Sequence, residues 1–262
     1  MDQYGDVFVF QSLSAGVEYW RDILADTLLE KTRAAAIYER SDADVRELEG
    51  LSVRNGALRG SPPERVTISE NGLRFVVNIV SGHKTGFYLD QRENRRAVAN
   101  YVRGARVLDM FCYTGGFSLN AGKLGGASEV LGVDTSGKAI AVARAGAELN
   151  SVTNVSFEVG DGFEALDSLV SRRDKFDVVI LDPPKFTRTR RSLDEALRAY
   201  HRINRQAVAL IPPGGTLSDY VPFYFTPFSI MMFNIKTGYG GITKRDNKDI
   251  IIFVSSIHKL RE

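Results

Sequence analysis

The sequence predicts an α/β fold in which a doubly wound, mostly parallel sheet follows a small α+β unit. From residue 107 onward, short apolar strands alternate with amphipathic helices, and this alternation is typical of parallel strands joined by helical crossovers. The first of these strands ends in a loop with paired glycines, Gly115 and Gly116, and a helix of small and apolar residues follows. Such a loop builds a nucleotide-sized crevice at the carboxyl edge of a sheet.

The composition is that of an ordinary globular protein. The chain has 262 residues, of which 44% are hydrophobic and 25% charged, enough for at least one full core. A net charge of +2 is too small to indicate nucleic acid by itself. The single cysteine excludes an intramolecular disulfide and any cysteine-based zinc site. No apolar run approaches the roughly 20 residues that span a bilayer, so we expect a soluble, cytoplasmic protein without membrane association.

The first third of the chain predicts a small α+β domain over residues 1–82. Strands are expected at 7–10 and 35–38, and a polar, Gly- and Pro-punctuated loop at 41–63 with at most a helical turn near 45–48. Residues 66–70 and 73–80 flank Asn71-Gly72, the strongest two-residue signal for a β-hairpin. A helix over 16–33 is expected to pack on a sheet through Val17, Trp20, Ile23, Leu24, Leu28 and Leu29.

The following pattern predicts the main domain over residues 83–217. After a helix at 93–102, strands are expected at 107–110, 130–133, 155–159 and 176–181. Ser136 can cap a helix that runs to Asn150, and a capping box at 192–195 opens another. The buried stripe expected for this last helix comprises Leu193, Leu197, Tyr200, Ile203 and Ala207.

The amino-acid composition changes after a strand that begins at 216–217. Residues 218–233 are aromatic-rich, 234–247 are rich in Gly and Lys, and 249–257 form a strongly apolar strand. The helix and hairpin that usually end a doubly wound domain are not visible, so we expect atypical C-terminal strands over 218–262.

Three aspartates stand at the ends of successive predicted strands. Asp109 can orient the glycine loop or accept a bond from a ligand ammonium group, and Asp134 stands where nucleotide-binding sheets contact ribose hydroxyls. Asp161 can receive an adenine amino group, with Phe163 beside it as an apolar wall. A loop or helix-cap role is the alternative for each aspartate taken singly, but three in register favour a binding site.

The glycine loop favours S-adenosylmethionine over a dinucleotide. Residues 112–118 lack the spaced G-x-G-x-x-G that admits a pyrophosphate, and S-adenosylmethionine carries no phosphate. At the end of the fourth strand, Asp182 precedes two prolines and can hydrogen-bond a planar base on which Phe186 stacks. A Pro-rich turn with Asp182 as its cap is the alternative.

Five segments together carry a family resemblance: 84–92, 107–118, 132–134, 160–163 and 181–186. Through them, residues 4–217 resemble the ribosomal RNA cytosine-C5 methyltransferases. The resemblance is to the large-subunit branch, with an RNA-binding PUA domain, a central α+β domain and a Rossmann-like class I methyltransferase domain. It implies that residues 1–82 are the central domain, N-terminally truncated, without its first strand and without the PUA domain. It also implies ribosomal RNA as partner.

The resemblance implies the roles of individual residues. Asp182 would contact the target cytosine, and Pro183, Pro184, Lys185 and Phe186 would line the substrate pocket. The residues implied around S-adenosylmethionine are Gln91, Arg92, Asp109, Phe111, Tyr113, Thr114, Gly115, Gly116, Asp134, Asp161, Gly162 and Phe163.

Other charged residues give weaker indications. Lys185, with Arg188, Arg190 and Arg191, either contacts RNA phosphates or belongs to a solvated loop. The three histidines lack metal-ligand spacing, so no metal site is expected. The sequence does not indicate an oligomeric state.

The chain departs from the family at the nucleophile. The family places a Thr-Cys-Ser-Cys motif after Gly-Gly-Thr-Leu, whereas residues 218–220 read Ser-Asp-Tyr. Carbon 5 of cytosine becomes nucleophilic only after a thiolate adds to carbon 6. Cys112 lies in the glycine loop, where we expect a small buried residue. We therefore expect weak or absent cytosine-C5 activity, and the alternative is a non-catalytic remnant or fusion that binds S-adenosylmethionine or RNA only.

Residues 217–260 resemble instead a piece of the DNA thymidine ADP-ribosyltransferase toxins, through 219–227 and 249–256. About 44 residues are too few for that fold, and its NAD-contacting part and catalytic Glu are missing. We infer a junction near Leu217, after which the chain is foreign. The alternative is a diverged methyltransferase tail in which 249–257 supplies a late strand.

Overall fold

The computed structural model describes residues 1–184, 186 and 193–212. Residues 1–211 form one compact unit. The strands expected at 216–217 and 249–257, the capping residue Ser192 and the inferred junction lie outside the described residues.

The described residues form ten strands and seven helices. The strands are β1 (Asp2–Tyr4), β2 (Val7–Phe10), β3 (Ala36–Ser41), β4 (Arg54–Arg59), β5 (Arg65–Glu70), β6 (Leu73–Asn78), β7 (Arg106–Met110), β8 (Glu129–Asp134), β9 (Val155–Val159) and β10 (Val178–Leu181). The helices are α1 (Ala15–Lys31), α2 (Val45–Leu48), α3 (Arg92–Ala99), α4 (Gly116–Leu119), α5 (Gly137–Leu149), α6 (Gly162–Ser171) and α7 (Leu193–Leu210). A 3-10 turn (Leu89–Gln91) precedes α3, and a π-helical turn (Asn120–Leu124) follows α4.

The main sheet is parallel throughout, in the order β10-β7-β8-β9. Its two faces are covered by different helices: Ile140 and Ala143 of α5 belong to one apolar cluster, and Leu166 of α6 and Ile203 of α7 to another. Helices on both faces of a parallel sheet are the doubly wound arrangement, so the predicted fold class is confirmed. Ser136 caps α5 as expected, because its side-chain oxygen accepts the N–H of Ala139.

The small sheet has the order β1-β2-β3-β4. The expectation of a loop over 41–63 is wrong for residues 54–59, which form β4, although the helical turn at 45–48 is present as α2. β4 reads Arg-Asn-Gly-Ala-Leu-Arg and lacks the β-branched residues that indicate a strand. β1 was not expected either.

Two predicted helix stripes differ from the observed ones. On α1 the residues that pack on the small sheet are Val17, Ala25, Leu28 and Leu29. Trp20, Ile23 and Leu24 are exposed by 52%, 57% and 40%, so the predicted stripe merged two faces of the helix. On α7, Leu197 is exposed and the buried apolar residues are Ala196, Ile203, Ala207 and Leu210.

The predicted hairpin is present as β5 and β6. Asn71 and Gly72 have φ values of 53° and 79°, the left-handed conformations that a tight two-residue hairpin turn requires. The hairpin lies between the two larger sheets, since its Phe75 and Val77 share a cluster with Val9 of β2 and Ile140 of α5. No helix among the described residues is long and apolar enough to cross a membrane.

Candidate active site

The loop that leaves β7 has an unusual backbone. Phe111, Tyr113 and Gly115 have φ values of 62°, 51° and 75°, so left-handed residues alternate along it. A Cβ on Gly115 would also lie 2.8 Å from Cζ of Phe157, which leaves glycine as the residue that fits. Thr114 is half-buried between them. The backbone N–H of Cys112 donates to the carbonyl of Val133 (3.0 Å), so the loop is fastened to the end of β8.

Asp134 makes a second connection between the glycine loop and the end of β8. One oxygen of its half-buried carboxylate accepts the backbone N–H of Tyr113 (2.9 Å), and the other accepts that of Ser136 (2.8 Å). Asp134 therefore holds the glycine loop and the start of α5 together at the carboxyl edge of the sheet.

Asp109 lies one residue before the end of β7 and is 1% exposed. It accepts a hydrogen bond of 2.5 Å from the hydroxyl of Ser118 in α4, so it orients the helix that follows the glycine loop. Burial raises the pKa of Asp109 to about 7, and the hydrogen bonds from Ser118 oppose this effect.

This buried carboxyl predicts a pH dependence of stability. An aspartate in the unfolded chain titrates near 4, so the folded chain holds a proton that the unfolded chain has released between about pH 4 and 7. The free energy of unfolding therefore falls as pH rises through this window. We expect Asp109→Asn to reduce the loss between pH 5 and pH 8 by roughly 2–3 kcal/mol, measured by urea unfolding.

Asp177 supplies the control for this prediction, because it stands before β10 at the opposite edge of the same sheet and accepts the N–H of Arg106. Asp177→Asn is measured under the same conditions, as an aspartate-to-asparagine change away from the glycine loop. Equal pH dependence in Asp109→Asn and the parent would contradict the assignment.

Asp161 caps α6. Its Oδ1 accepts the backbone N–H groups of Phe163 (2.9 Å) and Glu164 (3.2 Å), the helix-cap role that was the alternative for this position. The cap uses one of the two carboxylate oxygens, and the residue is exposed. Gly162 allows the ring of Phe111 to approach, since a Cβ there would lie 2.5 Å from its Cε1.

Asp182 follows β10, next to β7, and remains solvent-accessible. The side-chain amide of Gln91 approaches its Oδ2 at 3.5 Å, so these two polar groups face each other at the sheet edge. Surrounding protein partly desolvates the carboxylate and raises its pKa; the negative charge of Asp90 adds to this, and Lys84 opposes it.

The residues after Asp182 are placed in part. Pro183 is half-buried and Pro184 exposed, whereas Lys185 and the arginines from 188 to 191 lie outside the described residues. The ring centroid of Phe186 lies 4.7 Å from that of Tyr200 and 5.5 Å from that of Phe163. Phe186 is thus held in the apolar cluster between α6 and α7.

A strap over residues 83–91 closes the other side of the loop. The Tyr113 hydroxyl accepts the N–H of His83 (2.8 Å) and donates to the carbonyl of Gly86 (3.2 Å), and the His83 ring stacks on Tyr113 at 4.8 Å. Tyr88 meets Tyr113 edge-on at 5.6 Å. Burial raises the pKa of Tyr113, which keeps its hydroxyl a donor.

Charged residues of this strap also lie at the site. Lys84 pairs with Asp90 (3.1 Å) and lies 4.4 Å from the centroid of the Tyr88 ring. Gln91 and the exposed Arg92 were expected at the pocket. The contacts of the strap were not predicted, because aromatic stacking between distant segments leaves no periodic signal. Within the described residues no group of acidic, His or Cys side chains is arranged to hold a metal ion.

A parallel sheet whose glycine loop, Asp134 and Asp182 meet at one edge is the architecture of the Rossmann-like class I methyltransferases. A protein-family model for S-adenosylmethionine-dependent methyltransferases matches residues 49–223. The chain belongs to this family, and its cofactor is S-adenosylmethionine. The loop fits a ligand without phosphates, since its backbone N–H groups at Cys112 and Tyr113 are engaged by Val133 and Asp134.

Several relatives of this chain carry the same name. Proteins named ribosomal RNA large subunit methyltransferase I are 49% identical over 224 residues in Aeromonas hydrophila and 48% identical over 223 residues in Photobacterium profundum. Each match covers 84% of this chain and 56% of the relative. The chain thus spans little more than half the length of these relatives.

Two solved structures have a fold similar to that of this chain. A protein designated an S-adenosylmethionine-dependent methyltransferase from Streptococcus mutans is 28% identical, with a TM-score of 0.68 over 90% of this chain and 60% of that one. Another designated methyltransferase, crystallised with S-adenosylhomocysteine, is 29% identical, with a TM-score of 0.67 over 81% of this chain and 54% of that one.

The C-terminal part matches a second family. A model of the ssDNA thymidine ADP-ribosyltransferases matches residues 192–262, a range that includes the segment for which that resemblance was expected.

Proposed function

We propose that this chain derives from an S-adenosylmethionine-dependent methyltransferase of ribosomal RNA, acting in the cytoplasm, with cytosine C5 as the family's target. The observation that carries the proposal is the meeting of the glycine loop, Asp134 and Asp182 at one sheet edge, because β10, β7 and β8 are neighbours. S-adenosylmethionine, when bound, supplies the electrophilic methyl group. The relatives named for large-subunit ribosomal RNA support the choice of RNA.

In this proposal the cofactor lies against the loop and the ends of β8 and β9. Asp134 reads the ribose while it holds the loop, and Asp161 contacts adenine through the oxygen that α6 does not engage. Asp109 acts indirectly, since it is buried against Ser118 and orients α4. The remaining residues proposed at the cofactor are Gln91, Arg92, Phe111, Tyr113, Thr114, Gly115, Gly116, Gly162 and Phe163.

The substrate side is proposed to lie around Asp182. Its carboxylate and the Gln91 amide approach at 3.5 Å, and together they offer acceptor and donor groups to the Watson–Crick edge of an extruded base. Surrounding protein partly desolvates this carboxylate and raises its pKa. Pro183, Pro184, Lys185 and Phe186 complete the proposed pocket.

The chain is proposed to contain three segments: a central domain over 1–82, a methyltransferase domain over 83–217 and a foreign segment over 218–262. The methyltransferase model matches residues 49–223 and the ADP-ribosyltransferase model matches residues 192–262. The two matches overlap over 192–223, and the proposed junction near Leu217 falls within this overlap. Sequencing the gene across the codons for Leu217 and Ser218, with its flanks, tests whether the junction is natural.

A non-catalytic remnant that binds S-adenosylmethionine or RNA only is the second candidate. It is favoured by one observation, that Cys112 is the single cysteine and is buried in the glycine loop. Burial raises the pKa of this thiol well above its usual range, which removes the thiolate a nucleophile needs.

Transfer of tritium from labelled S-adenosylmethionine to unmodified large-subunit ribosomal RNA separates the two candidates. RNA-dependent label above background supports the enzyme. A background signal, with cofactor binding still detected by calorimetry, supports the remnant. Absence of both cofactor binding and RNA binding would contradict both candidates.

A further inference from the structure

A buried ion pair outside the cofactor crevice joins the hairpin to helix α3. Glu70 ends β5 and Arg95 lies in α3; their side chains are each 3% exposed. The guanidinium donates to both carboxylate oxygens, at 2.6 and 2.7 Å. Such a fork fixes the orientation of both side chains and not only their separation.

The Arg95 side chain lies against both the strap and the glycine loop. Its third nitrogen donates to the carbonyl of Tyr88 (3.0 Å), in the strap that stacks on Tyr113. The Arg95 side chain also packs beneath the glycine loop, because a Cβ on Gly116 would lie 3.0 Å from Cδ of Arg95. One side chain therefore touches the strap on one side and the loop on the other.

Stability alone gives a weak reason for this arrangement. Removing two charges from water costs free energy that their attraction only partly recovers, and buried ion pairs can often be replaced by apolar residues without loss. The centroid of the Phe87 ring lies 4.6 Å from the guanidinium carbon, so an aromatic ring already packs on the cation. What an apolar pair would not supply is the fork and the bond to the Tyr88 carbonyl.

We propose that Glu70 and Arg95 are positioning residues that set the distance between the glycine loop and the strap, and thereby the affinity for S-adenosylmethionine. The inference rests on the proposed placement of the cofactor at residues 111–116. Glu70 holds the guanidinium, and the guanidinium holds Gly116 and the Tyr88 carbonyl in place. Neither side chain contacts the cofactor in this proposal.

The test is calorimetric titration of S-adenosylmethionine at a temperature well below the melting point of each variant. Glu70→Gln keeps the shape but removes the charge, and Glu70→Asp keeps the charge but shortens the reach. We expect both to weaken binding about 10-fold to 100-fold, because the loop and the strap are no longer held in place before the ligand binds.

Glu39→Gln is the matched control. Glu39 is also buried, and pairs with Arg21 at 2.7 Å in the small sheet. Removal of the Glu39 charge should lower the melting temperature, as in the Glu70 variants. The affinity for S-adenosylmethionine should stay within about twofold of the parent, because the pair of Glu39 and Arg21 does not contact the glycine loop. Equal weakening in Glu39→Gln would overturn the proposal, because it would reduce the effect to general loss of stability.

A double variant, Glu70→Leu with Arg95→Met, keeps the inference testable if the single variants do not fold. Apolar replacements of both partners should preserve folding but still weaken binding at least about tenfold, because the fork that preorganises the site is gone. Unchanged affinity in this folded variant would overturn the positioning role. Asp134→Ala is titrated in parallel. If both Asp134→Ala and the double variant bound S-adenosylmethionine like the parent, the proposed cofactor site itself would be wrong. If Asp134→Ala lost affinity and the double variant did not, only the positioning role would fail.

Discussion

Asp134→Ala is expected to weaken binding of S-adenosylmethionine by roughly 100-fold or more. The change removes the acceptor for two backbone N–H groups, those of Tyr113 and Ser136, together with the proposed contact to the ribose hydroxyls. Hydrogen bonds to a charged group contribute about 1.5–3 kcal/mol each, so the loss of loop fastening and ligand contact reaches this scale. Calorimetric titration of the purified chain measures the affinity.

Asp177→Ala is the control for this experiment. Asp177 accepts one backbone N–H at the opposite edge of the same sheet, so its removal tests the effect of losing an aspartate without touching the crevice, and affinity should stay within about twofold. Asp134→Asn keeps one acceptor oxygen for the loop, so its affinity for S-adenosylmethionine should lie between those of the parent and the alanine variant. Parent-like affinity in Asp134→Ala would show that the cofactor lies elsewhere.

The second large effect concerns the product. We expect this chain to form 5-methylcytosine in unmodified ribosomal RNA at least about 10⁴-fold more slowly than a relative that carries the nucleophile motif, on the scale by which loss of a catalytic nucleophile slows other enzymes. The reason is chemical: the single cysteine is Cys112, which is buried and holds its proton. Mass spectrometry of digested RNA measures the modified nucleoside.

The Aeromonas hydrophila protein named ribosomal RNA large subunit methyltransferase I, which is 49% identical over the shared region, is assayed in parallel on the same RNA preparation. Cys112→Ala tests the remaining thiol: any residual 5-methylcytosine should persist in this variant, since Cys112 packs in the core rather than facing a base. Clear 5-methylcytosine formation by the parent chain would refute the requirement for the missing cysteine motif.

The placement of the glycine loop beside Asp134 could be predicted because strand ends carry a strong signal. Apolar runs at 107–110 and 130–133 fix two parallel neighbours, and adjacency of their carboxyl ends then places the glycine loop beside Asp134. The role of Asp161 shows the boundary of such reasoning, since a strand-end aspartate before a helix caps it whether or not it also binds a ligand.

The features that could not be predicted from the sequence depend on tertiary contacts, which no local pattern encodes. Arg54–Arg59 forms a strand because β3 pairs with it, not because its residues favour one. Trp20 and Ile23 share the spacing of a buried stripe, but the small sheet covers only the face around Ala25. No local pattern predicts the pairing of Glu70 with Arg95, because it requires the hairpin to fold back against α3.

The alternating left-handed residues of the glycine loop have a consequence for the thermodynamics of ligand binding. Phe111 and Tyr113 are not glycines, and each left-handed residue costs roughly 1–2 kcal/mol. That strain is offset within the fold by the contacts to Val133, Asp134 and the strap. The loop is therefore preorganised: a ligand meets a backbone that has already lost its conformational entropy, and more of the contact energy appears as affinity.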